Sequence, residues 1–305
     1  METHKLKKTK IVVLGANGQL GQEFRHLASS YEYFTFDFYD RKDGDITDKI
    51  SVAHLIDQSN PDFLINCAAY TAVDKAENDR DACYAVNAAA CKVIAEVLTT
   101  RDVKLVHFSS DYVYDHFNGF PIKETDETNP KGVYAQSKLE GEKIIRASKI
   151  PTLIIRTSWV ISSFGHNFIK TMLQLGKEKT ELNVVNDQYG APTYARHLAQ
   201  AVLDIILVTI TDEKKVSYFN DTYNYTNEGI ITWYDLADRI MKEAGLPCQI
   251  QAIPTSSYPT PARRPYWSVL AKHKIKERYA LEIPHWYVAL KECMEEIKVE
   301  KKLST

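Results

Sequence analysis

Apolar and polar positions follow two rhythms along the first half of the chain. Short, nearly continuous apolar runs recur at residues 10–15 (KIVVLG), 33–38, 63–66, 103–108 (VKLVHF) and 151–156 (PTLIIR). Between them lie longer stretches with helical spacing. Leu20, Phe24 and Leu27 stand at i, i+4 and i+7, which puts them on one helix face. Residues 52–58, 81–99 and 134–148 read as further helices. Strands joined by helices of that length need crossover connections, which make a parallel sheet. Helices then cover both sheet faces, so the strands must be apolar throughout, as these are. The pattern predicts an α/β fold with a doubly wound parallel sheet over residues 1–158.

The rhythm changes after residue 158. Helical segments appear near 167–177, 194–207 and 232–244, with strand-like pieces at 182–185 and 249–253. Residues 254–265 (PTSSYPTPARRP) are proline-rich and must be largely irregular. An amphipathic helix over 286–297 follows. The expected organisation is a first domain over 1–158 with a return segment near 182–225. Residues 159–305 would be mainly a smaller C-terminal α/β substrate-binding domain.

Composition narrows the function classes. The 305 residues are 44% hydrophobic and 26% charged, as in an ordinary packed globular protein. A net charge of −2 gives no global pull toward nucleic acid or anionic membrane. The cysteines are five, an odd number, with no C-x-x-C pair, so reduced thiols in a cytoplasmic protein are expected. Residues 1–10 are polar and basic, and the apolar run behind them is too short for a signal-peptide core. No run approaches the roughly 20 apolar residues that span a bilayer.

The turn after the first strand spells Gly15-Ala-Asn-Gly18-Gln19-Leu20-Gly21, that is G-x-x-G-x-x-G. Small residues there let the backbone approach a pyrophosphate, and the helix N-terminus offers N–H groups and a favourable dipole. A strand–turn–helix of this kind makes the first domain a Rossmann-type NAD(P)-binding unit. Asp37, taken as the end of the second strand, can accept hydrogen bonds from the adenosine ribose. Arg41 and Lys42 are close enough in sequence to meet a 2′-phosphate instead, so NADPH and NADH both stay open. Asp45 and Ile46 are placed beside the adenine.

Tyr134-Ala-Gln-Ser-Lys138 sets a phenol and an ammonium four residues apart on one helix face. A phenol ordinarily titrates near about 10, and a neighbouring ammonium lowers that value. By itself the spacing is common. Ser109-Ser110-Asp111 follows the fourth strand, however, where open parallel sheets bind ligands. A glycine turn, a serine after strand four and Tyr-x-x-x-Lys at the next helix occur in the order that reduction of a carbonyl requires. Tyr134 would donate the proton, Lys138 would assist it and Ser110 would hold the carbonyl.

Five longer stretches narrow the family: residues 66–77 (NCAAYTAVDKAE), 110–114 (SDYVY), 156–160 (RTSWV), 186–193 (NDQYGAPT) and 254–265. Together they resemble the dTDP-4-dehydrorhamnose reductase family of the extended short-chain dehydrogenase/reductase superfamily. The resemblance implies reduction, by NADPH or NADH, of dTDP-6-deoxy-L-lyxo-4-hexulose to dTDP-L-rhamnose. It implies that Gly18, Gln19 and Leu20 touch the pyrophosphate, with Gly15 and Gly21 shaping the turn. Asp37, Asp45 and Ile46 would flank the adenosine, and Ala69, Tyr70 and Thr71 would line the cofactor. Ser110, where a threonine is often found, Asp111 and Trp159 would contact the dTDP-sugar. Arg264 is favoured for its diphosphate, since guanidinium suits phosphate. Trp159 is open to a core role, residues 186–193 to a purely structural turn and Asn87 to a plain helix surface.

Some family members form a homodimer around magnesium held by glutamates. Glu23 matches the first such position, but Arg196 stands at the second. A cation there disfavours a divalent metal, so no metal ligands are assigned. A nucleotide-sugar epimerase or dehydratase, or a non-catalytic NADP-binding regulatory subunit, would share this scaffold.

Overall fold

A computed structural model describes residues 8–115 and 119–303, the side chains of 300–303 excepted. The basic stretch at 1–10 therefore lies outside the described residues up to residue 7. β1 (Thr9–Leu14), α1 (Gln19–Leu27), β2 (Phe34–Tyr39), α2 (Lys49–Ser59) and β3 (Phe63–Asn66) alternate. The short helices α3 (Val73–Ala76) and α4 (Arg80–Tyr84) follow, and α4 runs through a π turn (Ala85–Ala89) into α5 (Ala90–Leu98). β4 (Lys104–Ser110), a 3-10 turn (Asp111–Val113), α6 (Val133–Ser148) and β5 (Thr152–Thr157) come next. The remainder carries β6 (Val160–Ile161), α7 (Phe168–Glu178), β7 (Glu181–Val185), β8 (Tyr189–Gly190) and β9 (Thr193–Tyr194). Then come α8 (Ala195–Thr211), α9 (Glu213–Phe219), β10 (Thr222–Asn224), β11 (Ile231–Thr232) and α10 (Trp233–Ala244). β12 (Gln249–Ile253), α11 (His273–Tyr279) and α12 (Trp286–Leu303) end the chain.

The main sheet has six strands in the order β10-β5-β4-β3-β1-β2, all paired in parallel. The continuous apolar runs serve both faces at once. Ile11 and Val13 join the core under α1 and α8, whereas Val12 and Leu14 join the core under α2, α5 and α6. All four are essentially inaccessible, and burying each such side chain stabilises the fold by about 1.5–3 kcal/mol. Strand order reverses between β1 and β3, and such a switch point opens a crevice at the carboxyl ends of the strands.

Residues 195–224 cross back to this sheet: α8 covers one face beside α1, and β10 extends it beyond β5. The part of the expected return segment before α8 does not join it. There β7 pairs with β12, β8 with β11 and β9 with β6. A separate apolar core, with Ile169, Leu236, Ile240, Leu290 and Cys293, holds these pieces together. The N-terminus of α10 is a capping box of Thr232 and Asp235, and Gly245 ends that helix at φ +64°.

Three departures bear on the site. β2 runs on to Tyr39, so Asp37 lies inside the strand rather than at its end. β4 includes Ser109 and Ser110 instead of stopping before them. The helix expected over 81–99 is interrupted by the π turn around Asn87. That turn is where α6 comes closest: a Cβ on Gly141 would lie 2.2 Å from the Asn87 carbonyl oxygen and 3.1 Å from Cys91 Sγ. Gly141→Ala is expected to cost about 1–3 kcal/mol through overpacking. Gln136→Ala, on an exposed position of the same helix, should leave stability unchanged. Thermal unfolding checks both; a Gly141→Ala midpoint equal to the parent's would show that the helices have room to spare.

Candidate active site

The crevice begins at the glycine turn. Gly15 has φ +72°, and a Cβ on it would stand 2.6 Å from the Ala68 nitrogen, just past β3. A Cβ on Gly21 would come within 2.4 Å of the Gly15 carbonyl oxygen. Gly18 is the extended N-cap of α1 and has no side chain to satisfy the first N–H groups of the helix. Those free donors and the space kept by the glycines make a cradle that a phosphate oxygen fits. Gln19 is tethered from the other lobe by the Asn167 amide, at 3.0 Å, and Leu20 packs against the core.

Asp37 does not reach this cradle. It pairs with β1 at the level of Val12, and its carboxylate binds the Lys10 ammonium at 2.9 Å. Burial raises the carboxyl, but Lys10 and the Ser59 hydroxyl together more than offset this and hold it below its ordinary value. Asp40, the first residue after β2, is the acid beside the turn. It accepts from the Asn17 amide of the glycine loop, and from the Lys42 backbone N–H at 2.7 Å. Locating it required the length of β2, which the apolar run understated. Asp45 is exposed and taken up locally by the Thr47 N–H and hydroxyl, at 2.8 and 2.7 Å. Ile46 packs against the edge of the core.

Ala69, Tyr70 and Thr71 follow β3 along the same crevice. Asn87 fixes this segment. Its side chain accepts from the Tyr70 N–H at 2.9 Å and donates to the Tyr70 carbonyl at 3.1 Å, pairing with the backbone as a strand would. It also donates to the Ser137 hydroxyl at 3.0 Å. Asn87 is buried, so the helix-surface alternative falls. The π turn is what aims it inward, and such turns are frequent at functional sites.

Tyr134 and Lys138 sit in the first turns of α6. Gly132, at φ +82°, leads into that helix, and the Glu77 carboxylate caps it by accepting from the Val133 N–H at 2.9 Å. Lys138 is buried and donates to the Phe108 carbonyl of β4 at 2.7 Å; its burial lowers the ammonium's affinity for its proton. Tyr134 lies within hydrogen-bonding reach of Ser110, and burial pushes its phenol well above the ordinary value. Lys138 is not among the groups that shift it, so the expected lowering by the ammonium is not found. The Lys138 ammonium is aimed at the Phe108 carbonyl, and burial dominates the phenol. A phenol is neutral near pH 7 even unshifted, and burial reinforces the form that donates a proton.

Ser110 accepts from the Tyr112 N–H at 3.2 Å and donates to Asp111 at 3.0 Å. Asp111 is buried, and its other oxygen accepts from Ser268 at 2.6 Å. Burial pushes its carboxyl up to about 6, against the pull of these donors. Ser268 leads to Trp159: a Cβ on Gly190 would lie 3.0 Å from the Trp159 ring and 3.4 Å from Ser268 Cβ. Trp159, Ser268, Asp111, Ser110 and Tyr134 thus form one continuous wall.

Arg264 is less free than expected. Both of its terminal nitrogens bind Asp74, at 2.6 and 2.5 Å, which ties residues 254–265 to α3. Asp187, from the 186–193 stretch, accepts from the Thr255 N–H at 2.9 Å and so anchors the same segment. Glu23 is fully buried, and its carboxylate is taken by Arg196 at 2.9 Å and by the Ser162 hydroxyl at 2.6 Å. Arg196 also binds Glu296 at 3.0 Å.

Residues 9–299 match the family described as the RmlD substrate binding domain. The chain belongs to that family. It is 38% identical over 295 residues to a dTDP-4-dehydrorhamnose reductase of Escherichia coli K12, covering 94% of this chain and 97% of the relative. It is also 38% identical to the Bacillus subtilis spore coat polysaccharide biosynthesis protein SpsK, covering 94% and 98%. Among solved structures, a dTDP-4-dehydrorhamnose reductase ortholog from Clostridium acetobutylicum matches with TM-score 0.88 and 37% identity, covering 95% and 100%. A Bacillus anthracis dTDP-4-dehydrorhamnose reductase in complex with NADP matches with TM-score 0.88 and 31% identity, covering 95% and 99%. A dTDP-glucose 4,6-dehydratase in complex with NAD, at 18% identity and TM-score 0.79, shares the fold.

Two variants probe this RmlD-family site. Asp111 has a folded value of about 6 against an ordinary 3.8, so its contribution to stability is present when protonated and lost as pH rises through about 6. Asp111→Asn cannot ionise, and its stability relative to the parent should improve between about pH 4 and about pH 7. Urea unfolding at the two pH values decides; a pH-independent difference would mean that the carboxyl ionises without cost. Arg196→Met strands the Glu23 carboxylate and should cost about 3–5 kcal/mol in the same measurement. A cost near zero would show that Glu23 finds other partners.

Proposed function

We propose that the protein uses NADPH or NADH to reduce the C4 ketone of dTDP-6-deoxy-L-lyxo-4-hexulose, giving dTDP-L-rhamnose. One observation carries this reading. Relatives named for that reduction share 37–38% of their residues with the chain over nearly its whole length. The grouping of Ser110, Tyr134 and Lys138 at one crevice supplies chemistry that fits it.

In this reading residues 8–158 and 195–224 bind the cofactor, and the rest binds the sugar nucleotide. Gly15, Gly18, Gln19, Leu20 and Gly21 hold the pyrophosphate, and Ala69, Tyr70 and Thr71 line the nicotinamide half. Asp40 takes the ribose-facing place first given to Asp37, with Asp45 and Ile46 near the adenine. The cofactor, when bound, supplies the hydride that adds to the sugar C4. Tyr134 gives its phenolic proton to the C4 oxygen, so that ketone, hydride and proton together make the alcohol. Lys138 stands beneath it to hold the cofactor's ribose and to balance the phenolate left behind, which regains a proton from water. Ser110 and Asp111 orient the ketone, and Trp159 flanks the sugar.

Arg264 meets the diphosphate only by sharing its guanidinium with Asp74. Any pairing of two copies leaves Glu23 out of a metal bridge, because Arg196 holds its carboxylate. Free thiols, four of the five buried, fit the reducing cytoplasm. Among the described residues no helix is long and apolar enough to cross a membrane.

Oxidation of NADPH and of NADH is followed with this ketone and with other 4-keto nucleotide sugars. The parent should turn over the named ketone fastest. Tyr134→Phe should lose about 10²–10⁴-fold in kcat while NADPH binding persists. Near-parental turnover by Tyr134→Phe would remove it as the proton donor, and no oxidation with any ketone would remove the reductase reading.

A further inference from the structure

Tyr134 sits in the part of α6 that is hardest to hold still. It is the second residue of the helix, and Gly132, the N-cap, has no side chain with which to satisfy the first N–H groups. Helix ends without partners fray, and a frayed turn cannot keep a phenol in place. Lys138 lies a full turn further in and has its own anchor on the Phe108 carbonyl. The two members of the pair are therefore held by different means.

The missing cap comes from another element. Glu77, at the end of α3, accepts from the Val133 N–H at 2.9 Å, across 56 positions of sequence. Its negative charge also suits the positive end of the helix. Gly132 keeps the room for it: a Cβ there would lie 2.6 Å from Glu77 Oε1, and the φ of +82° favours glycine. Ala76, next to Glu77, packs with Cys83, Val133, Tyr70, Tyr84 and Tyr134 in one small apolar cluster. The segment carrying Glu77 is itself pinned on both sides. Asp74 holds Arg264 and the Ala262 N–H, and Asp79 accepts from the Tyr70 hydroxyl at 3.1 Å. Glu77 thus reaches α6 from a fixed platform. It is not among the groups that shift the Tyr134 phenol, so it acts on that residue through the backbone.

We propose that Glu77 is a positioning residue for the proton transfer: it fixes the first turn of α6, and with it the place of the Tyr134 phenol at the substrate oxygen. This rests on the function proposed above. Glu77 itself exchanges no proton with the substrate. Without its carboxylate the first turn loosens, while Lys138 stays tied to β4. A displacement of about 1 Å at a reacting group costs on the order of 10²-fold in rate. Cofactor and sugar nucleotide are bound by other groups, so their affinities survive.

Glu77→Ala is compared with Glu77→Gln, which keeps an acceptor oxygen at the same reach. Glu77→Ala should lower kcat about tenfold or more, with the Kd of NADPH and the KM of the ketone unchanged. The solvent deuterium isotope effect on kcat should rise, because proton transfer is the step that suffers. Amide hydrogen exchange over residues 133–137 should quicken, while the β4 amides exchange as in the parent. Glu77→Gln should recover most of the lost kcat. Gly132→Ala, which presses a Cβ onto Glu77 Oε1, should reproduce the slower turnover and the larger isotope effect, and it serves if Glu77→Ala does not fold. Thr232→Ala removes a cap from α10 and should leave kcat and the isotope effect unchanged. The proposal is overturned if exchange over 133–137 quickens yet kcat stays parental. It is overturned equally if kcat falls with no change in the isotope effect, the mark of a merely less stable fold, or if Glu77→Gln is as slow as Glu77→Ala. Failure of the reductase reading looks different: the parent would oxidise no NADPH with the ketone, while exchange over 133–137 would still quicken in Glu77→Ala.

Discussion

How closely α6 approaches the π turn fixes most of what the crevice can do. Gly141 lets α6 rest on the Asn87 carbonyl, where any side chain would collide. That single distance sets two groups at once. It brings Lys138 under the end of β4, where it binds Phe108, and it brings Ser137 to the Asn87 amide. The same amide then pairs with both backbone groups of Tyr70. Lys138 and the segment around Tyr70 are thus positioned from one packing contact. An unpaired amide buried there would cost about 1–3 kcal/mol, so the network rewards only the fully formed arrangement.

The lobes are joined by contacts of unequal worth. Glu23 with Ser162, Asp111 with Ser268, and Gln19 with Asn167 are buried or nearly so, and each starts from an element that borders the crevice. Breaking a buried pair leaves a charge without solvent, which makes such contacts strict about geometry whatever their net stabilisation. Arg263 with Asp115 is mostly exposed, at 3.2 Å, and a pair of that kind contributes little. The second lobe is therefore held over the sheet by a few buried polar anchors.

Local patterns were legible in the sequence, and long-range partnerships were not. The parallel sheet could be read because each buried strand carries its own continuous apolar run. The glycine turn could be read because its spacing is set by backbone clearance within seven residues. β10 was hidden: three residues, Thr222–Asn224, are too short and too polar to announce a strand. The apolar run points to Asp37 alone, because it ends before the strand's hydrogen bonding does. Arg264 looked like a free cation because Asp74 lies 190 positions away. The Tyr134–Lys138 spacing was legible, but the partner Lys138 chooses, a backbone carbonyl, leaves no trace in side-chain identity.

The hydrogen-bond arithmetic at Ser110 sharpens the division of labour in the proposed reaction. A serine hydroxyl has one proton, and Ser110 gives it to Asp111 while accepting from the Tyr112 N–H. With Asp111 ionised, Ser110 has no proton left for a ketone oxygen, and Tyr134 is the donor that remains. Burial holds that phenol in its neutral form, so the proton is present when the oxygen at C4 gains charge. Burial also pushes Asp111 toward its protonated form, and a protonated Asp111 releases the Ser110 proton toward the substrate. The two effects have one cause, burial of both groups. Near pH 7 a carboxyl at about 6 is mostly ionised, so Ser110 keeps its proton on Asp111 and Tyr134 remains the donor in the proposed reaction.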